Sequence, residues 1–342
     1  MKKSEPNLYD SASTKNYSSL TRKLIPGLLL GFLVFVILVL LSDLRQVGAE
    51  IREFPWQIMP LVLGLSSVNY ILRFIKWHYF LRQVGVQQLS IWESARIFVA
   101  GFPLAVTPGK VGETLKGVWI NQLTNLPTAR GMSVVLAERV SDGLAMLILS
   151  IVGVIAYRRY WPAFAIVLAV LLGVVIISQI RPLAKYLLEF GVRLPVFNRF
   201  ALVINEFYEG SFTLFRPWIT FVSVSLGTVA WLVVGVAFYL VLIGLGVEPG
   251  VSTLSIAIFV FSFSKVIGAV TALPGGLLAT DVTMIGMLVL LLDMDTNTAA
   301  AATLLIRFAT LWFGVGLGFV VWLFSRDLLT MQVKTRSSGQ IQ

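Results

Sequence analysis

Long apolar runs, separated by short charged segments, follow one another along most of this chain. The runs of full membrane length cover about residues 24–41, 57–75, 132–157, 161–180, 218–246 and 299–324. An α-helix needs roughly 20 apolar residues to cross a hydrocarbon core of about 30 Å. The pattern therefore predicts an all-α integral membrane protein with six full spans, the first of them a retained span rather than a signal peptide.

Four further apolar segments flank two breaks that contain proline and glycine. Residues 91–106 and 111–123 surround the first break, and residues 252–272 and 277–292 surround the second. Each segment looks short for a crossing of its own, and irregular backbone at membrane depth has to face protein or water. We therefore expect two re-entrant hairpins beside the six spans. If both hairpins cross completely, the chain has about eight spans.

The two breaks are versions of one motif. The first reads TPGKVGE at residues 107–113, and the second reads LPGG at residues 273–276 with an aspartate five residues later. In both copies a carboxylate is followed 15 residues later by a threonine and 26 residues later by an arginine. These matched residues are Glu113 and Asp281, Thr128 and Thr296, and Arg139 and Arg307. The shared spacing predicts an inverted internal repeat, with which many secondary transporters build a substrate site near the midplane.

The placement of basic residues predicts the orientation of the chain. The net charge is +10, and the basic residues concentrate between the spans. With six spans and two hairpins, 18 lysines and arginines fall on one side, Arg73 and Lys76 among them, and 4 fall on the other. The positive-inside rule then puts both termini in the cytoplasm. It also accounts for the net charge without a nucleic-acid partner.

The same topology divides the chain into three parts at the cell membrane. Residues 1–23 are predicted to be a disordered cytoplasmic N-terminus. Residues 24–325 form a single transmembrane helical domain, and residues 326–342 form a cytoplasmic tail. Within the domain, residues 181–216 are mixed and charged, which is typical of an amphipathic segment at the membrane interface.

Composition narrows the chemistry. Hydrophobic residues make up 57% of the chain and charged residues 13%, whereas a soluble domain has about 25% charged residues. The absence of cysteine excludes disulfides, Fe–S clusters and thiol catalysis, and the single histidine, His78, excludes histidine-rich metal sites. No GxxxxGK[ST] phosphate loop is present, so ATP is not expected to drive the protein directly. We expect no metal, no cofactor and no enzymatic activity.

Nine ionisable residues nevertheless fall at predicted membrane depth. They are Lys110, Glu113, Lys116, Glu138, Arg139, Asp142, Lys265, Asp281 and Arg307. Each costs roughly 2.5–3.5 kcal/mol at the bilayer centre, so they have to pair, to face a wet cavity, or both. Structural salt bridges alone are one interpretation. However, five positive charges meet four negative ones, and glycines at the breaks let a ligand approach the N–H groups of a restarting helix. We therefore expect a site for an anionic group, with phosphate as the leading candidate.

At these residues the chain resembles the flippase-like membrane domain of bacteria and archaea, also called the lysylphosphatidylglycerol synthase transmembrane region. That family is marked by a Pro-x-(Arg/Lys)-x-Gly-Glu element, a Glu-Arg-x-x-Asp helix, a Pro-Gly-Gly element trailed by an acidic residue, and an arginine in the last span. The matching positions are Pro108, Lys110, Gly112 and Glu113, then Glu138, Arg139 and Asp142, then Pro274, Gly275, Gly276 and Asp281, and last Arg307. Here Lys110 stands where arginine is common, and Asp281 stands where glutamate is more usual.

The resemblance covers roughly residues 20–330 and implies a membrane domain that handles lipid. The family's best-known members carry an additional cytosolic aminoacyl-transferase domain. We expect a stand-alone membrane domain here, so synthase activity is not implied.

Lipid translocation is the leading functional hypothesis. The expected cargo is an anionic phospholipid or a polyprenyl-phosphate-type lipid of the membrane, and enzymes of lipid or glycan synthesis are the candidate protein partners. The residues expected to bind the phosphate or headgroup are Lys110, Lys116, Arg139, Arg307, Gly109, Gly112, Gly275 and Gly276. Those expected to complete the charge network are Glu113, Glu138, Asp142, Lys265 and Asp281.

Three alternatives remain open: a secondary transporter of a small soluble anion, an intramembrane transferase, and an accessory subunit. A cavity that opens sideways to lipid would favour the lipid hypothesis. A closed cavity would favour a soluble anion.

Overall fold

The computed structural model describes residues 44–107, 112–157, 161–182, 201–271, 276, 278–325 and 328. The predicted N-terminus, the predicted first span and nearly all of the predicted tail lie outside these residues. Within them every regular element is helical, which confirms the all-α class expected from the apolar runs.

Twelve α-helices account for most of the described residues. They are α1 (Leu44–Glu53), α2 (Met59–Gln83), α3 (Ile91–Ala100), α4 (Leu115–Thr124), α5 (Thr128–Ala156), α6 (Trp161–Gln179), α7 (Ala201–Leu214), α8 (Pro217–Gly244), α9 (Val251–Val270), α10 (Ala279–Leu292), α11 (Thr296–Arg307) and α12 (Phe313–Phe324). Five helical stretches are long and apolar enough to cross a membrane: Trp56–Gln83, Trp161–Gln179, Pro217–Gly244, Val251–Val270 and Thr296–Phe324. The chain is a multi-spanning membrane protein.

Helix α2 is longer than the apolar run that predicted it. The run at 57–75 stops where basic residues begin, whereas the helix continues to Gln83. Gly85 then adopts a positive φ of 95°, and the amide of Val86 donates to the carbonyl of Leu81 at 3.0 Å, which is a Schellman cap. The helix continues past residue 75 because the next basic residue, Lys76, is buried inside the bundle.

The two helices around the second break differ in length. Helix α9 has 20 residues, or about 30 Å of helix, so the expectation that the segment before this break is too short to cross is wrong. Helix α10 has only 14 residues, or about 21 Å. The re-entrant path of the hairpins and the final number of spans stay predictions.

Both copies of the repeat have the same order of elements. A helix leads into the break, a short helix leaves it, and a long helix follows from the matched threonine, because α5 begins at Thr128 and α11 begins at Thr296. The leading helix of each copy packs against the long helix of the other, α3 against α12 and α9 against α5. Such an exchange is what a two-fold relation between two copies produces.

The last span contains one widened turn. Helices α11 and α12 are joined by a π-helical segment, Phe308–Trp312, and π-turns are rare and frequently mark functional sites. Tyr70 of α2 donates its hydroxyl to the carbonyl of Thr310 at 3.1 Å. Further along, Gly318 lies against Pro103, where a Cβ on the glycine would come within 2.2 Å of the proline Cδ. The widened turn therefore lies where the last span meets α2 and the first copy.

Helices α2 and α5 each contribute residues to two different buried apolar clusters, one on either side of the helix middle. Val62 of α2 and Leu147 of α5 belong to one cluster, whereas Trp77 of α2 and Val134 of α5 belong to the other. Charged side chains of both helices lie between the clusters, with Asp142 at the middle residue of α5. Because this layer is far from both ends of α5, its charges need partners within the protein.

Candidate functional site

Glu138 is the centre of an ion-pair network. Its side chain is fully buried on α5, and cations of three helices contact it. Arg73 of α2 donates from Nη2 to Oε1 at 2.8 Å, and Lys116 of α4 donates from Nζ to Oε2 at 3.4 Å. Nη2 of Arg139, the neighbour on α5, lies 3.2 Å from Oε1. One carboxylate thus ties α2, α4 and α5 together.

Asp142, one turn further along α5, forms the second node of the network. Lys76 of α2 donates from Nζ to Oδ1 at 2.5 Å, and the indole Nε1 of Trp231 on α8 donates to the same oxygen at 3.1 Å. Arg73 Nε lies 3.6 Å from Oδ2. Lys76 has no exposed side-chain surface, so its ammonium depends on Asp142 and on a further hydrogen bond to Ser141 Oγ.

The assignment of Arg73 and Lys76 to the cytoplasmic side is therefore wrong, because both side chains enter the charged layer. The sequence did contain a signal, since Asn69, Arg73 and Lys76 recur at i, i+4 and i+7 on one face of α2. Asn69 also turns inward and donates to the carbonyl of Ala230 at 2.8 Å. Without the two cations, 16 of the original 18 basic residues remain on the predicted cytoplasmic side against 4 on the other.

Arg139 joins the first break to this network. Its Nε lies 3.0 Å from Glu113 Oε2, which follows the break directly. A hydrogen bond joins the residues on the two sides of the break, because the hydroxyl of Thr107 accepts from the amide of Gly112 at 2.9 Å. A Cβ on Gly112 would lie 2.8 Å from Thr107 Cγ2, so this position has little room for a side chain. The Arg139 side chain is 30% exposed and lines the cavity described below.

Arg307 makes the matched pair in the second copy, but it is enclosed. Its Nε donates to Asp281 Oδ1 at 2.5 Å, and its Nη2 donates to Asp281 Oδ2 and to the carbonyl of Gly276, both at 3.2 Å. Only 2% of the Arg307 side chain is exposed. Asp281 Oδ2 also accepts from the amide of Leu278. The pair fixes the start of α10 to α11.

A cavity of about 630 Å³ lies between the two copies. The first copy contributes Glu113, Lys116, Arg139 and Asp142 to its wall, and the second contributes Lys265, Gly276 and Thr280. Arg73, Tyr70 and Trp231 add side chains from α2 and α8. Its volume is in the range of known ligand sites, roughly 300–1,000 Å³.

Helix α6 forms an apolar wall of the same cavity. Five of its residues line it: Ile166, Val167, Val170, Leu171 and Val174. Ile166 and Val170 are 64% and 60% exposed although they line the cavity. They are the sixth and tenth residues of a 19-residue helix that is long and apolar enough to span the membrane. The cavity therefore borders the outer, apolar surface of the bundle on this side.

The predicted site residues separate into three groups. Glu113, Lys116, Arg139, Asp142, Lys265 and Gly276 line the cavity. Gly112, Glu138, Asp281 and Arg307 do not line it, and Gly109, Lys110 and Gly275 lie outside the described residues. Lys116 is almost fully buried, with Nζ 4.9 Å from the ring centroid of Trp77 and 5.3 Å from that of Phe98. This enclosure and the Glu138 contact make Lys116 a less accessible cation than Arg139.

Comparison with known proteins gives two findings. A membrane protein of Methanothermobacter thermautotrophicus, described as a UPF0104 membrane protein, is 23% identical over 316 residues, which cover 85% of this chain and 90% of that protein. The sequence model of the family described as the lysylphosphatidylglycerol synthase TM region matches residues 28–318, which include both breaks, both arginines and the whole described cavity. The chain accordingly belongs to the lysylphosphatidylglycerol synthase transmembrane region family.

Proposed function

We propose that the protein is a lipid translocase that moves an anionic headgroup across the membrane through the cavity between the two copies. One observation carries the proposal: a single cavity has a charged floor with an accessible arginine and an apolar wall that reaches the outside of the bundle. A lipid has the same division between a charged headgroup and apolar chains.

The charged floor suits a phosphate. A guanidinium has five N–H donors in a planar fork that matches phosphate oxygens. The contacts of Arg139 with Glu113 and Glu138 involve its Nε and one Nη atom, which leaves further donors for a ligand. The two carboxylates hold the guanidinium in place and thereby lower the entropic cost of binding.

The apolar wall favours a lipid over a small soluble anion. A small soluble anion makes no favourable contact with the exposed side chains of Ile166 and Val170. A cavity that is open to lipid would also be less selective for soluble anions. A lipid chain can lie along these residues while the headgroup reaches Arg139. Opening towards the outer surface of α6 was the feature that would separate the two hypotheses, and it supports the lipid.

The orientation in the membrane is part of the proposal. Basic residues remain concentrated in the segments predicted to be cytoplasmic after Arg73 and Lys76 are removed from the count, so we place both termini in the cytoplasm of the cell. The chain has no native cysteine. Single cysteines at Arg82 and Arg52 should therefore react with a membrane-impermeant thiol reagent from the cytoplasmic and the external side, respectively. Labelling of both from one side would contradict this orientation.

The direct test measures translocation by purified protein in proteoliposomes, with a fluorescent anionic phospholipid and reduction of the outer-leaflet label. The wild-type protein should accelerate translocation, and Arg139→Ala should reduce the rate at least about tenfold, because one phosphate contact is worth roughly 1.5–3 kcal/mol. Arg130→Ala is the matched control on the same helix, since Arg130 pairs with Glu206 near the surface. If Arg139→Ala translocates lipid at the wild-type rate, the proposed site is wrong.

A further inference from the structure

Arg73 is a second arginine of the cavity wall, and its guanidinium lies close to that of Arg139. Nη2 of Arg73 and Nη2 of Arg139 lie 2.8 and 3.2 Å from the same oxygen, Oε1 of Glu138, so the two nitrogens are at most about 6 Å apart. Both arginines line the cavity, whereas Glu138 does not. One buried carboxylate therefore holds two guanidinium groups together at the cavity wall.

The guanidinium of Arg73 has a donor that the described residues do not use. Its Nη2 donates to Glu138, and its Nε lies 3.6 Å from Asp142 Oδ2, which is too long for a hydrogen bond. Its Nη1 makes no hydrogen bond with another described residue. The Arg73 side chain is 11% exposed, so it is mostly enclosed but still borders the cavity. Nη1 is therefore the donor available to a ligand there.

Neighbouring side chains hold Arg73 in one orientation. Its central carbon lies 5.3 Å from the ring centroid of Trp231 and 6.0 Å from that of Phe98. Trp231 also lines the cavity and donates from Nε1 to Asp142 Oδ1. Cation–π contacts and the Glu138 contact both restrain the guanidinium. Little side-chain entropy is then left to lose when a ligand binds to it.

A single phosphate can reach both arginines. Phosphate oxygens accept from cationic N–H groups at about 2.7–2.9 Å, and two oxygens of one phosphate can each face a different guanidinium. Because Arg73 and Arg139 are held on one carboxylate oxygen, a phosphate beside them lies within hydrogen-bond distance of both.

We infer that Arg73 is a phosphate-binding residue of this cavity, and that Arg73 and Arg139 together bind two oxygens of one phosphate. The inference rests on the proposed function and adds a binding residue to it. The added residue comes from α2, which lies outside both copies of the repeat, so neither copy contains the whole phosphate site.

Two lipids isolate the contribution of the phosphate. Dioleoyl phosphatidylmethanol and dioleoylglycerol have identical chains, and the first differs only by its methyl phosphate. Binding to the purified full-length chain in detergent is measured by the shift of the thermal unfolding midpoint with lipid concentration. The wild-type protein should bind the phosphate lipid at least about tenfold more tightly, because charged hydrogen bonds to phosphate add to the affinity.

Arg73→Lys tests the contact with the phosphate. Lysine keeps a positive charge beside Glu138 but has no planar fork. Affinity for dioleoyl phosphatidylmethanol should therefore fall about tenfold, and affinity for dioleoylglycerol should not change. Arg82→Lys is the matched control on the same helix and should change neither affinity, because Arg82 donates to His78 and to the carbonyl of Gln87 and does not line the cavity.

A purely structural role of Arg73 makes a different prediction. If Arg73 only completed an ion pair with Glu138, Arg73→Lys would keep the affinity for the phosphate lipid, or would weaken binding of both lipids equally. Either result contradicts the inference. The unfolding midpoint without lipid checks that the variant is folded.

Protection from an arginine reagent tests the same contact in the unmutated protein. Phenylglyoxal modifies guanidinium groups, and mass spectrometry of peptides reports the rate at each arginine. Dioleoyl phosphatidylmethanol should slow modification of Arg73 and Arg139 several-fold relative to dioleoylglycerol, and it should leave Arg82 unaffected. A rate at Arg73 that is the same with both lipids would contradict the inference even if Arg73→Lys failed to fold.

The remaining outcomes separate this inference from the proposed function. If Arg73→Lys binds the phosphate lipid as tightly as wild type while Arg139→Lys does not, the inference is overturned and the proposed site stands. Wild-type protein that binds both lipids equally overturns both. Inorganic phosphate that shifts the unfolding midpoint at the same concentrations as the phosphate lipid supports the two-arginine site but contradicts the lipid cargo.

Discussion

The two copies of the repeat contain the same carboxylate–arginine pair and use it differently. In the first copy, Arg139 lines the cavity with its side chain 30% exposed, and it shares Glu138 with cations of α2 and α4. In the second copy, Arg307 is 2% exposed and contacts Asp281 and the carbonyl of Gly276. Both copies therefore have an ion pair that joins the helix after the break to the next long helix. The arginine of that pair is accessible in the first copy and buried in the second.

The difference indicates a division of labour. The second pair has the geometry of a structural connection, because both partners are buried and their contacts are bidentate. The first pair belongs to a network in which Glu138 contacts three cations and Asp142 contacts two, so Glu138 keeps two partners when Arg139 is lost. The following predictions measure how far this division goes.

The largest effect is expected for Arg307→Leu. It leaves Asp281 charged and buried without its partner, which costs about 3–5 kcal/mol. The free energy of unfolding, measured by titration with a denaturing detergent in mixed micelles, should fall by that amount. Arg307→Leu combined with Asp281→Leu should recover at least half of the loss, because no buried charge is then left unpaired. A single variant as stable as wild type would show that this pair is not a structural connection.

Arg139→Leu should have a smaller effect on stability and a larger one on transport. Glu138 keeps Arg73 and Lys116 as partners, and Glu113 lines the cavity, where water can replace its contact with Arg139. We therefore expect a loss of about 1–2 kcal/mol. Translocation should fall at least about tenfold. Arg139→Lys retains the charge but not the planar fork, and it should keep the stability while losing most of the transport. If both Arg139 variants destabilise the protein as much as Arg307→Leu, the proposed division of labour is wrong.

The glycines of the two breaks should respond differently to alanine. Gly276 has a positive φ of 65°, so Gly276→Ala should cost about 1–3 kcal/mol whatever its neighbours are. Gly112→Ala instead meets Thr107 Cγ2, and the added Thr107→Ser substitution removes that atom. The second substitution should restore part of the stability lost in Gly112→Ala, whereas Thr280→Ser should not rescue Gly276→Ala. Unfolding titrations of the four variants provide the comparison.

The smallest effect is expected for Arg130→Ala. Arg130 and Glu206 form a pair at 2.7 Å with side chains 33% and 35% exposed, and pairs at such exposure contribute about 0–1 kcal/mol. Stability should change by no more than that, and translocation should not change. A loss of transport in this variant would mean that the assay responds to any change on α5 and not to the cavity.

The repeat could be predicted from the sequence because its signal is a set of short residue spacings. The spacings of 15 and 26 residues predicted a repeat, and the structure places a helix start at each matched threonine, Thr128 and Thr296, and an ion pair at each matched arginine. The ion pairs Glu113–Arg139 and Asp281–Arg307 explain the second spacing physically. The apolar runs likewise predicted the ends of most of the long helices to within a few residues.

The difference in exposure between the two arginines could not be predicted from the sequence. Exposure of Arg139 and burial of Arg307 depend on what packs around them, and the motif around both is alike. Arg73 and Lys76 come from a helix outside both copies, so the matched spacing does not include them. Their basic side chains resembled loop charges, because burial of an ion pair depends on partners 65 and 66 residues away.

The π-segment Phe308–Trp312 has a consequence for how the two copies can be compared. A helix advances about 100° per residue, so one additional residue in a widened turn rotates everything after it by roughly that angle. The rotated part includes Gly314 and Gly318, which lie against Tyr70 and Pro103. Helix α5 continues past Arg139 without such a turn. The internal symmetry should therefore lose its register at the arginine, and an alignment of the two halves needs a gap of one residue directly after it.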